Sequence, residues 1–184
     1  MIRSYDPTRP VPRPLIEELL GLAVRAPSAG HTQGWQFVVL SSPDACDRFW
    51  AATMEPGDDA WLRRLRQAPA LVLCLSDKDA YLDRYAEPDK GWTDRDEAHW
   101  PTPYWHVDTG MAAMILLLAA HDAGLGACFF GVPAEAIAAV RDEFGVADRL
   151  WPVGVVSLGY PAPDLRSPSL KRGRRPLEDV VRWV

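Results

Sequence analysis

The sequence predicts an α/β protein with a mixed sheet, or an α+β protein: a layer of strands with helices packed on it. Three observations carry that expectation. Strand-like and helix-like stretches alternate along the chain. Ala70-Leu71-Val72-Leu73-Cys74-Leu75 is apolar at every position, the pattern of a central strand covered on both faces. The run from His106 to about Ala123 is apolar nearly all round, the pattern of a buried helix. With 184 residues, 48% of them hydrophobic and 24% charged, the chain has the length of one domain and the composition of a folded protein. Residues 1–184 read as a single domain, with 162–184 as a C-terminal arm.

Each element follows from its local pattern. Pro14, Ile16, Leu19, Leu20, Ala23 and Val24 recur at helical spacing, and a helix there must stop before Pro27. The segment Ala26-Pro27-Ser28-Ala29-Gly30-His31-Thr32-Gln33-Gly34 is a loop of turn-forming residues. Trp35 to Leu40, aromatic and β-branched, predicts a strand. Short helices are expected over Pro43 to Thr53 and Asp59 to Gln67. From Asp77 to about Pro103 the chain is charged and without steady period. It carries Tyr81, Tyr85, Trp92 and Trp100, so it is expected to pack on something. In the long helix that follows, Asp108 is expected to cap the start and Gly124 to end it. Ala127 to Phe130 is a short strand, Pro133 to Phe144 a helix, and Val153 to Leu158 a further strand. Beyond Ala162 only Leu177 to Val181 has helical character.

Composition excludes several classes of function. Twenty Lys and Arg against twenty-five Asp and Glu leave a net charge of −5, unlike a dedicated nucleic-acid binder. The longest strongly apolar run, Met111 to Ala120, falls well short of the roughly 20 residues of a membrane-spanning helix. The start Met1-Ile2-Arg3-Ser4-Tyr5-Asp6 has no apolar leader. Cys46, Cys74 and Cys128 are odd in number and far apart, which suits a reduced cytoplasm and gives neither a disulfide framework nor a zinc site. His99, His106 and Asp108 lack a fixed third or fourth partner for a metal. Nucleophile-elbow, dinucleotide-fingerprint and phosphate-loop motifs are absent from the sequence.

Three segments remain as candidate sites. The loop from Pro27 to Trp35 offers backbone amides and short polar side chains to a flat polar ligand; the same residues serve equally as a plain helix-to-strand connection. Lys171-Arg172-Gly173-Arg174-Arg175 places four cations in five residues, matched to a phosphate monoester or simply solvated. In Gly124-Leu125-Gly126-Ala127-Cys128-Phe129-Phe130-Gly131 the last glycine lets a ligand approach the backbone, while the rest reads as a helix end and a buried strand.

In order and at their spacings, these segments resemble the flavin-dependent nitroreductase family. Pro10-Val11-Pro12 resembles the family's opening. Ala26-Pro27-Ser28-Ala29-Gly30-His31-Thr32-Gln33-Gly34-Trp35 is similar to its A-P-S-x-x-N-x-Q-P-W loop. Gly124-Leu125-Gly126-Ala127, Leu158-Gly159-Tyr160-Pro161 and Arg174-Arg175-Pro176-Leu177-Glu178-Asp179-Val180-Val181 resemble its later segments. The resemblance implies an α+β fold, a mixed sheet flanked by helices, in an intertwined homodimer with FMN bound across the interface. By position, Ser28, Ala29, Gly30, His31 and Gln33 would line the flavin. Phe130 and Gly131 would meet its ring from the other subunit. Arg3, Arg172, Arg174 and Arg175 would hold the phosphate. Tyr104 and Trp105 are candidates for the substrate pocket, or equally for packing in a dimer arm. The family's usual Asn is His31 here, its usual proline is Gly34, which is expected to loosen the turn, and of its opening arginines only Arg3 has a counterpart.

The activity so implied is transfer of hydride from NAD(P)H, by way of FMN, to a small organic acceptor (nitroaromatic, quinone or enone) in ping-pong turnover. No catalytic side chain is required by the resemblance, and the protein is expected in the cytoplasm, without nucleic-acid or membrane partners. Two other outcomes belong to the same resemblance: a flavin-consuming enzyme or natural-product dehydrogenase, and a non-catalytic flavin-binding protein.

Overall fold

A computed structural model of the chain describes residues 1–53, 60–163 and 168–184. Its elements in chain order are α1 (Arg13–Ala23), β1 (Trp35–Leu40), α2 (Pro43–Thr53), α3 (Ala60–Leu65), β2 (Ala70–Asp77), α4 (Lys78–Ala86), α5 (Tyr104–Asp122), β3 (Gly126–Phe130), α6 (Ile137–Phe144) and β4 (Leu150–Gly159), with short 3-10 turns between them. Strands and helices share one layered core, so the α+β expectation holds. The expected start of α3 at Asp59, and residues 164–167 of the arm, lie outside the described residues.

The four strands form one sheet in the order β1-β2-β4-β3. Each of the three pairings is antiparallel, so within the described chain the sheet is not mixed. A residue pattern shows which faces of a strand are covered; direction is set by long-range pairing that no local pattern carries.

β2 explains its own uniform hydrophobicity. Leu71, Leu73 and Leu75 pack on one side with Leu40, Phe49, Trp50 and Leu65. Ala70, Val72 and Cys74 pack on the other with Leu19, Ala113, Leu116 and Ala120. Thus α2, α3 and α6 cover one face, and α1 and α5 the other. Burial of the two cores at about 25 cal/mol per Å² of apolar surface is the main favourable term.

α5 ends as expected, with Gly124 just past it at φ 74°, a left-handed position that favours glycine. Its start differs. The helix begins at Tyr104, two residues before the expected His106, and Asp108 lies inside its first turns, buried, rather than at the cap. The N-terminal segment is fastened to the sheet. Ile2 N–H donates to Ala127 O at 3.0 Å and Asp6 N–H to Tyr160 O at 2.9 Å, while the buried Tyr5 hydroxyl lies 2.7 Å from Ser157 Oγ. From Ser169 on the arm is exposed, and of Leu177 to Val181 only Leu177–Asp179 forms a turn of 3-10 helix.

Candidate functional site

The loop between α1 and β1 is strained and tightly supported. Gly30, His31 and Gln33 all have φ between 54° and 61°. For His and Gln that left-handed conformation costs on the order of 1 kcal/mol each and persists only where surrounding contacts enforce it. The contacts come from α4 and α5. Asp108 Oδ2 accepts the Ala29 N–H at 2.8 Å and the Tyr81 hydroxyl at 2.7 Å. Arg84 Nε donates to Gly30 O at 3.0 Å. Inside the loop, Ser28 Oγ accepts the Gln33 N–H at 2.9 Å, and the Gln33 side chain is exposed.

Two tyrosines of α4 touch the loop where only glycine fits. A Cβ on Gly30 would lie 2.8 Å from Tyr85, and one on Gly34 would lie 2.4 Å from Tyr81. Gly34 therefore does not loosen the turn: it is the position at which the Tyr81 ring packs against the backbone. Burial, then the hydrogen bond to Asp108, pushes the Tyr81 phenol far above its ordinary range, so its hydroxyl stays a donor.

The segment from 77 to 103 packs, as expected, and what it packs on is this loop. Trp100 lies 4.5 Å from Tyr85, 5.9 Å from Tyr81 and 6.0 Å from Trp105 between ring centroids. Trp92 adds a ring 4.8 Å from Tyr85. Trp105 is buried beneath these rings, whereas Tyr104 is exposed.

Phe130 and Gly131 lie elsewhere, at the end of β3. They line an open cavity of about 490 Å³ with Phe49, Trp50, Trp61 and Pro133. Phe130 stacks on Trp50 with ring centroids 5.5 Å apart and 12° between planes. A Cβ on Gly131 would meet nothing within 4 Å, so the backbone there faces open space. The Trp50 indole N–H is buried and has no hydrogen-bond partner among the described residues.

The remaining candidates are dispersed. Arg3 sits on the N-terminal segment between β3 and Tyr160. Arg172, Arg174 and Arg175 are exposed on the arm, and Arg175 Nη2 donates to Asp179 O at 2.8 Å. Within one chain the structure thus groups Ser28, Ala29, Gly30, His31 and Gln33 in one place and Phe130 with Gly131 in another, and none of the three cavities that stand out among the described residues is lined by both sets. Trp105 lines a second cleft of about 600 Å³ with Ser76, His106 and Trp151. There Ser76 Oγ lies 2.9 Å from His106 Nδ1, and burial lowers the affinity of that imidazole for a proton. The described residues contain no cluster of three or more His, Cys, Asp or Glu able to hold a metal ion.

The sequence profile of the Nitroreductase family matches residues 1–160. The chain belongs to the nitroreductase family. It is therefore an oxidoreductase by family. A protein of Methanothermobacter thermautotrophicus, provisionally named an NADH dehydrogenase/NAD(P)H nitroreductase, is 29% identical over 164 residues, covering 88% of this chain and 72% of the relative. An NADH dehydrogenase of Thermus thermophilus is 28% identical over 203 residues, 99% of this chain and 90% of the relative. The crystal structure of a nitroreductase family protein from Streptococcus pneumoniae superimposes with a TM-score of 0.74 over 100% of this chain and 94% of that one, at 18% identity, a likeness of fold.

Against the family's loop pattern, the sequence pointed to Ser28 through Gln33 but not to what holds them. Asp108, Tyr81, Arg84 and Tyr85 carry that support. A signal for α4 was present: Asp77 accepts the Ala80 N–H at 3.2 Å as its cap, and Tyr81 and Tyr85 stand four apart on one helix face.

Proposed function

We propose that this nitroreductase-family chain binds FMN and transfers hydride from NAD(P)H to a small organic acceptor, as a homodimer with each site built from both copies. One observation carries the reading. The residues that match the family's flavin-lining segments fall into two separate places on one chain, a strained loop and an apolar cavity. A second copy is what brings such halves together.

The residues fit the cofactor's chemistry. A cavity of about 490 Å³ with aromatic walls is of the size that takes a flat ring system. Gly131 leaves space for it. Arg172 and Arg174 have no ion pair among the described residues and are exposed, so their guanidinium forks are available to a phosphate. FMN, when bound, supplies a two-electron carrier that takes hydride from one reactant and gives it to the next.

The chain's own groups do the rest. Arg172, Arg174 and Arg175, with Arg3, hold the anionic end. The Ser28–Gln33 loop, fixed in its left-handed turns, presents backbone edges to the ring without reorganising. Tyr104 stands at the exposed start of α5, where an acceptor can reach it. The donor and the acceptor occupy the same place in turn, which gives ping-pong kinetics. The names of the Methanothermobacter and Thermus relatives support a reduced nicotinamide as donor.

The test is the absorption spectrum of the purified protein. A yellow protein that releases FMN on denaturation, and is bleached anaerobically by NADH or NADPH, is the expected result. A colourless protein that ignores added FMN overturns the reading. Replacing Arg174 and Arg175 together by Ala removes two charge-assisted contacts and is expected to weaken FMN binding by at least 10-fold, at roughly 1.5–3 kcal/mol for each contact.

A further inference from the structure

Asp108 is a carboxylate in a place that water does not reach. It is 1% exposed, and no ion pair reaches it among the described residues. Both groups it meets are donors, the Ala29 N–H at 2.8 Å and the Tyr81 hydroxyl at 2.7 Å, and both bonds fall on the same oxygen, Oδ2. A buried carboxylate without a cation is costly, and an apolar side chain would pack α5 against its neighbours at less expense. The acceptor must therefore serve the donor it holds. That donor belongs to the residue immediately before Gly30, at the entry to the three left-handed positions.

We propose that Asp108 is a positioning residue: its carboxylate, with Tyr81, locks the Ser28–Gln33 loop in its ligand-ready conformation before any ligand arrives. The loop's other supports are steric, internal to the loop, or come from α4. Tyr85 and Tyr81 fill the space beside Gly30 and Gly34, and Arg84 holds Gly30 O from an arginine that also pairs with Asp89 at 2.7 Å. Among the described residues, Asp108 is the α5 side chain that hydrogen-bonds the loop, and so ties it to the helix that spans the core. The raised proton affinity of the Tyr81 phenol keeps its hydroxyl donating toward Asp108. A loop held in this way binds without first being ordered, which is the advantage of preorganisation. The inference rests on the functional reading above only where it concerns flavin.

The experiment separates the two. Hydrogen exchange is followed by mass spectrometry on the full chain without added flavin, for wild type, Asp108→Asn and Tyr81→Phe. Asp108→Asn keeps the shape and an acceptor oxygen for both donors, but the oxygen is now neutral, so both bonds lose their charge assistance. Exchange in peptides covering residues 28–34 is expected to quicken by about 10-fold, the difference between charge-assisted and neutral bonds, while β2 and β4 exchange as in wild type. Tyr81→Phe is expected to do the same at the same segment by about 3-fold, and it decides the matter where Asp108→Asn does not fold. Exchange unchanged at 28–34, or quickened equally throughout the chain, overturns the proposal. With FMN as probe, Asp108→Asn is expected to bind about 10-fold more weakly yet to recover turnover at saturating FMN. If wild type binds no flavin, the functional reading fails, and the exchange result still decides on Asp108.

Discussion

Gly34 and Gly21 make opposite predictions for one substitution. On Gly34 an added Cβ would stand 2.4 Å from Tyr81 Cε2 and 3.1 Å from Asp77 O. The ring is fixed from behind by Asp108, so it cannot give way. Gly34→Ala is expected to cost about 1–3 kcal/mol, read as a fall in the urea midpoint. Gly21 lies inside α1 with nothing within 4 Å of the same atom, and Gly21→Ala is expected to raise stability by about 0.5–1 kcal/mol. A second prediction at this scale concerns Cys74. Burial pushes its thiol up to about 12 from an ordinary value of 9. Above pH 9 the unfolded chain releases a proton that the folded chain keeps. The stabilising difference is complete below that pH and is lost as pH rises toward 12, at about 1.4 kcal/mol per pH unit. Cys74→Ala is expected to show a shallower alkaline loss of stability than wild type in urea titrations between pH 9 and 11.

At the scale of elements, what could be read in the sequence follows from where each element's partners lie. β1 and α2 have the expected ends, because their periodic faces point at the core: Leu40, Cys46, Phe49 and Trp50 are all buried in one cluster. α4 escaped a sequence reading for the opposite reason. Its contacts run to a polar loop, so it shows no apolar stripe, only two tyrosines and an Asp cap. Asp108 misled in the same way: it has the chemistry of a helix cap, and only the three-dimensional neighbourhood turns it into the acceptor for Ala29. The aromatic layer of 85–105 tests whether that segment serves the loop. Trp100 touches Tyr81, Tyr85, Trp92, Tyr104 and Trp105. Trp100→Ala is expected to lower stability by about 2–4 kcal/mol and to weaken FMN binding, since Tyr85 then loses the ring that seats it beneath Gly30. Thermal unfolding and flavin titration on the same sample check both effects; lost stability with unchanged FMN affinity would make the layer a local core only.

Over the whole molecule, the decisive feature is an apolar stripe that one chain leaves uncovered. Along α5, Tyr104, Val107, Met114 and Leu118 are 40–57% exposed, and their spacing puts them on one side of the helix. Leu22 and Val24, at the end of α1, are each 43% exposed. α1 packs directly against α5, so these side chains extend the apolar surface of the same layer. Patches of this kind mark association surfaces, and the expected homodimer needs one that leaves both halves of the site near the partner. Replacing Met114 and Leu118 together by Asp is the direct test. It removes no core side chain, so the fold should survive with its circular dichroism unchanged. Sedimentation at micromolar concentration is expected to shift from dimer to monomer. If each site is shared, FMN affinity must fall with the dimer, by at least 10-fold, because each monomer keeps only one half of the residues that line the ring. Monomers that bind FMN as tightly as wild type would show instead that one chain holds the flavin alone, with the Phe130 cavity sufficient for the ring.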